Sequence, residues 1–167
     1  VSSAASDVYK RQVFESDATL DLESGLEGSA DFAGHDGVLN LSANITGEID
    51  NSGGEAAGIV NLAANANVAN DIGRTKEVAV VNTNGNATLG GLLKTQRLNL
   101  RGGGETRITG AVTANAVFES AATLSLTSNL TGGVDFAGQA GILNLTANIT
   151  GGIDNTCLLY TSPSPRD

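Results

Sequence analysis

The sequence predicts an all-β protein, a parallel β-helix (β-solenoid) of about seven coils with near 21 residues in each. Three observations lead there. Residues 13–52 return at 117–156 with 27 of 40 positions identical at an offset of 104. Such self-similarity marks arrays in which each unit buries its apolar face against the next. A finer period lies inside the long one. The pattern apolar-Asn-apolar recurs as Leu39-Asn40-Leu41, Val60-Asn61-Leu62, Leu98-Asn99-Leu100 and Leu143-Asn144-Leu145, with variants Leu20-Asp21-Leu22, Val81-Asn82-Thr83 and Leu124-Ser125-Leu126. Successive starts are 19, 21, 21, 17, 26 and 19 residues apart, and the first five spacings make up one long repeat. A second apolar pair follows most motifs, four residues apart: Leu26/Ala30, Ile45/Ile49, Leu130/Val134 and Ile149/Ile153. Even spacing puts both members on one face of a strand. Coils stacked at about 4.8 Å give a rod of roughly 30 Å.

Composition separates three segments. Residues 13–156 hold all 22 glycines and 16 asparagines but no Cys, Pro, Tyr, Trp or Met, and their only aromatics are Phe14, Phe32, Phe118 and Phe136. Turn-rich, aromatic-poor chains are repetitive β or disordered. The regular aliphatic pairs favour β, because disordered chains lack the apolar residues that offset ordering entropy. Residues 1–12 and 157–167 look foreign. Asp7 to Gln12 can be encoded GAT GTG TAT AAG AGA CAG, whose reverse complement, read one base later, spells Cys157-Leu158-Leu159-Tyr160-Thr161 and begins Ser162. Both tails therefore resemble translated transposase-type sequencing adapters and are set aside as non-native.

The elements follow in order. Residues 20–50 supply two motif coils. Over 56–68, Ala56, Ile59, Val60, Ala63, Ala64 and Val68 fall at helical spacing, yet GIVNLAANANV aligns with GVLNLSANITG, whose Ile, Val and Thr prefer strands. Strand is the expectation. The register is worst at 97–116, where RGGGETR is expected to lengthen a coil and bulge as a loop. Asn40, Asn61, Asn82, Asn99 and Asn144 are expected to stack in one solvated column between inward leucines. Gly47, Gly110, Gly132 and Gly151 are expected to face a narrow core. Asn40, Asn44, Asn86, Asn129, Asn144 and Asn148 sit in N-x-Ser/Thr triplets, which a β-turn composition generates without modification.

Chemistry finds little footing. His35 becomes Gln139 in the second copy, and Asp17, Asp21, Glu23, Glu27, Asp36 and Glu48 become Ala121, Ser125, Thr127, Thr131, Ala140 and Gly152. A fold copy that sheds these groups does not need them. The acids of the first copy leave room for a calcium site there, but the GGxGxD repeats of calcium-binding β-rolls are missing. Asp31/Asp135 and Asp50/Asp154 persist beside Gly or Asn corners, where turn capping accounts for them. No nucleophile elbow, P-loop or histidine metal spacing is present, so the expectation is no catalytic residue, no cofactor and no metal.

Charge is segregated. Residues 13–156 carry 16 acids and six bases, a net charge of −10, which argues against nucleic acid as a partner. All six bases, Arg74, Lys76, Lys94, Arg97, Arg101 and Arg107, follow a stretch of 11 acids with no base. This band either balances the acidic coils or contacts an anionic ligand such as a sulfated glycan.

Tandem LNLxxNITGxIDN-type coils, with DFAG, GNATLGG and ITGAV segments between them, resemble the passenger repeats of bacterial autotransporter surface proteins, and most closely the rickettsial surface cell antigens. The resemblance covers nearly all of 13–156 and carries no catalytic motif. It implies export through an outer-membrane barrel outside this segment, display on the bacterial surface or secretion, and contact with a host-cell glycan or protein. Flanking repeats of the parent protein would be further partners. Absence of cysteine agrees with passage of an unfolded chain. The competing reading is part of a β-helix carbohydrate-active enzyme, a polysaccharide lyase or hydrolase, which would need gathered carboxylates and a base. An ice-binding solenoid would need flat Thr-x-Thr ladders, whereas Thr46, Thr109, Thr131 and Thr150 are single.

Overall fold

In the computed structural model, residues 11–156 are described; of the two tails expected to be non-native, 1–12 and 157–167, only Arg11 and Gln12 are among them, Gln12 pairing with Ala30. The chain winds as a β-solenoid of about eight turns roughly 19 residues apart, without a helix among the described residues. Every strand pairs in parallel with the strand one turn away. Alternation of side chains along each strand turns one set of residues inward, and stacking aligns that set into columns.

Three faces enclose the core. Leu20, Leu39, Val60, Val81, Leu98, Ala116, Val134 and Ile153 form one column of the first face, in the long sheet that starts with Thr19–Leu22 and ends with Ile153–Asp154. The second face stacks Leu26, Ile45, Val68, Leu89, Ile108, Leu126 and Leu145. The third stacks Ala30, Ile49, Ile72, Leu93, Val112, Leu130 and Ile149. Of the motif residues expected inward, Leu39, Leu41, Val60, Leu62, Leu98, Leu100, Leu124 and Leu126 are buried. Leu20, Leu22, Leu143 and Leu145, in the outer turns, are partly buried against the core.

The motif count misjudged the pitch. Seven coils of 21 residues become eight of about 19 because the Asn motif does not stay on one face. Leu39-Asn40-Leu41 lies on the first face, but its copy Leu143-Asn144-Leu145 lies on the second, paired with Leu124-Ser125-Leu126. Ile45 and Ile49 occupy the second and third faces, while their copies Ile149 and Ile153 occupy the third and first. One sequence repeat thus spans five turns plus one face. The gap of 26 residues between Leu98 and Leu124 is one turn plus that extra face. No enlarged loop is needed at 97–116: Gly104–Ile108 pairs on both sides, with Ala87–Leu89 and Ala122–Leu126.

Local contacts travel with the sequence across this rotation. Phe14 stacks on Phe32 with ring centroids 4.8 Å apart, and Phe118 on Phe136 at 4.7 Å. Ala33 and Ala137 both adopt positive φ, 50° and 47°, at the DFAG corner. The segment 56–68 is strand at Ile59–Ala63 and Asn67–Val68, so the helical spacing of its alanines yields to pairing with neighbours. The glycines expected in the core sit at corners instead. A Cβ on Gly47 would lie 2.1 Å from the Gly28 carbonyl oxygen, and one on Gly151 2.2 Å from that of Gly132. Gly110 likewise rests on the backbone of Gly91. What the glycine admits there is the preceding coil's backbone.

Candidate functional site

The outward asparagines of the first face form a directed amide ladder. Nδ2 of Asn40, Asn61, Asn82 and Asn99 each donates to the side-chain oxygen one turn back, on Asp21, Asn40, Asn61 and Asn82, at 2.7, 2.8, 2.7 and 2.8 Å. Arg97 Nε donates to Asn99 Oδ1 at 2.6 Å and closes the far end. Asn144 is not a rung. The face shift places it over Ser125, whose Oγ accepts its Nδ2 at 3.2 Å. The column is also less solvated than expected: Asn82 and Asn99 are only 3% and 4% exposed, because rungs on either side and the Arg97 guanidinium cover them.

Of the acids retained in both copies, Asp31, Asp50 and Asp135 clip one turn to the next. Asp31 accepts hydrogen bonds from the Ala33 amide and from the amide and hydroxyl of Ser52, and Arg11 approaches it from the other side. Asp135 repeats this with Ala137 and Thr156. Asp50 accepts from the amide and hydroxyl of Thr75, while Asp154 accepts from the Asn155 amide. Burial pushes the Asp31 carboxyl up, but the hydrogen bonds from Ser52 and Ala33 and the charge of Arg11 prevail and hold it below the usual carboxylate range. The Thr156 hydroxyl and amide, with the Ala137 amide, lower Asp135. His35 Nδ1 stands 3.8 Å from Asp17 in the first copy.

The basic band is distributed by the coil. Lys94 and Arg97 belong to the strand Leu93–Leu100, with Arg101 just past its end. Arg101 Nε donates to Glu119 at 2.8 Å and Arg97 Nη2 lies 3.9 Å from the same carboxylate, so two cations share one anion. Lys94 has no ion-pair partner among the described residues. Arg107 lies in the five-stranded sheet and pairs with Glu105 at 3.0 Å. Hydrogen bonds from Ser125 and Arg107 lower the Glu105 carboxyl. Arg74 and Lys76, in the corner before Val78, face Asp71 and Glu77 at 3.8 and 3.7 Å.

A cleft of about 420 Å³ opens where Leu93–Leu100 carries a β-bulge. Lys94 pairs with Thr113 and Arg97 with Asn115, so Thr95 and Gln96 together oppose Ala114. The cleft is lined by Glu77, Thr95, Gln96, Thr113, Ala114, Asn115, Thr131 and Gly132. Nothing in the motif pattern marked these residues; the one trace was the short spacing of 17 before Leu98. A second hollow, about 410 Å³, lies over Asn65, Asn67, Asn86, Ala87, Thr88, Glu105 and Arg107. Among the described residues no three His, Cys, Asp or Glu side chains gather to hold a metal ion. Compared with protein-family models, curated proteins and solved structures, the chain matches none.

Proposed function

We propose that the chain is a segment of a bacterial cell-surface stalk of autotransporter-passenger type, non-catalytic and adhesive through an extended face. The observation that supports this reading is the engagement of Asp31, Asp50 and Asp135 with the following turn. Asp31 and Asp135 carry depressed pKa values and several donors each, which suits holding coils together and ill suits general acid chemistry near neutrality.

Contact with a host-surface glycan or protein is assigned to Arg97 and Arg101 on the first face, two cations over one shared carboxylate, with Lys94 at the third-face end of the same strand. Arg74, Lys76 and Arg107 extend the band, each beside its own acid. The test is retention on heparin, against a variant with Lys94, Arg97, Arg101 and Arg107 replaced by Gln. Retention by the parent chain should fall with rising salt, because exposed charge is screened, and should be lost in the variant. Equal retention of the two chains rejects the band as a contact. Polysaccharide turnover abolished by Asp31→Asn or Asp50→Asn would overturn the non-catalytic reading.

A further inference from the structure

We infer that the bulge cleft is a binding site for an uncharged sugar unit, carried by Gln96, Asn115, Thr113, Thr131 and Glu77. The inference rests on the adhesive reading above and gives that surface a defined glycan subsite.

The argument starts from which polar groups are already engaged. On the first face the ladder amides are committed to one another. In the second hollow, Asn67 and Asn86 accept amides from the following turn through Oδ1, Asn65 and Thr88 make no side-chain hydrogen bond among the described residues, and the one carboxylate, Glu105, is held by Ser125 and Arg107. The bulge cleft differs in its carboxylate, Glu77, which no side-chain hydrogen bond holds among the described residues. Gln96, Thr113 and Thr131 make no side-chain hydrogen bond among the described residues, and Asn115 uses only its Oδ1, toward the Gly133 amide at 3.2 Å. Glu77 has one loose contact, 3.7 Å from Lys76. Two amides, two hydroxyls and a carboxylate thus face a concave space with their hydrogen-bonding capacity available.

The bulge explains why they are there. An extra residue bends the strand and re-aims a side chain, which turns Gln96 out of the regular column. Gly132 lets the next turn close onto this one at the cleft's edge, since a Cβ there would fall 1.9 Å from the Ala114 carbonyl oxygen.

Ligand chemistry follows from the mixture. A phosphate or sulfate would be repelled by Glu77, and no cation lines the cleft to offset it. No gathered set of His, Cys, Asp or Glu side chains stands there among the described residues to hold a metal ion. An apolar ligand would strand five polar groups. Vicinal hydroxyls both donate and accept, so a neutral pyranose satisfies amide, hydroxyl and carboxylate together, and the volume lies in the range of small-ligand sites.

The experiment uses the full chain, probed by ligand-observed NMR with neutral di- to tetrasaccharides of galactose, mannose and N-acetylglucosamine. The expected result is saturable binding of at least one of them, weakened about tenfold or more in the double variant Gln96→Ala/Asn115→Ala, which removes several weak hydrogen bonds. Heparin retention, measured in parallel, should be unchanged in that variant because Lys94, Arg97 and Arg101 remain. No binding by any of these sugars, or equal binding by the variant, overturns the cleft. If heparin is still retained in a salt-dependent way, the adhesive reading stands without it; if both fail, the adhesive reading falls as well.

Discussion

Leu41 shows what each inward side chain contributes. It is 1% exposed, with Leu22 behind it and Leu62 ahead in the same column. Leu41→Ala removes contacts on both sides and leaves a cavity in a narrow core, so it should cost about 2–5 kcal/mol in urea unfolding. The same change at Leu143, partly buried in an outer turn, should cost less. Asp31 sets a pH dependence. Its folded pKa lies below the ordinary value of 3.8, so its contribution is complete above the unfolded pKa and is lost as pH falls through the folded one. Urea midpoints followed from pH 6 down to pH 2 should therefore drop more steeply for the parent chain than for Asp31→Asn, which should already be weaker at neutral pH. Equal slopes would remove Asp31 from the acid transition.

At the scale of the element, the asparagine ladder joins five successive turns outside the core. Asn82 is its buried centre, donating to Asn61 and accepting from Asn99. Asn82→Ala leaves an acceptor and a donor without partners in a covered site and should cost about 1–3 kcal/mol. Asn144→Ala, at an exposed rung of a different column, should lie within about 0.5 kcal/mol of the parent. Comparable losses at the two positions would show that the ladder adds little. The ladder was half legible: the motif exposed the asparagines and their outward direction. It concealed that Asn144 had moved to another face, because the motif reads identically on either one. The cleft was not legible, since a bulge is a mismatch between two strands and no single strand records it.

At the scale of the molecule, the outer turn at Ile142–Leu145 and Ile153–Asp154 exposes Ile142 and Ile153, each at 56%, beside strand edges to which no further turn is paired among the described residues. Such edges template pairing with another chain. Association should rise with concentration in sedimentation experiments, and Ile142→Lys/Ile153→Lys should reduce it; unchanged association in that variant would place the contact elsewhere.

Strand type, parallel stacking and inward leucines followed from the sequence by itself, because alternation and a short repeat leave a chain poor in aromatics one economical way to bury its apolar side chains. The pitch of about 19 residues, the advance of each repeat by one face and the bulge at Thr95 and Gln96 were decided only by tertiary structure. The reason is physical. Three faces built from similar alternating strands are nearly interchangeable to a local motif. Which face it occupies depends on the turn already in place beneath it, through hydrogen bonds between residues about 19 apart.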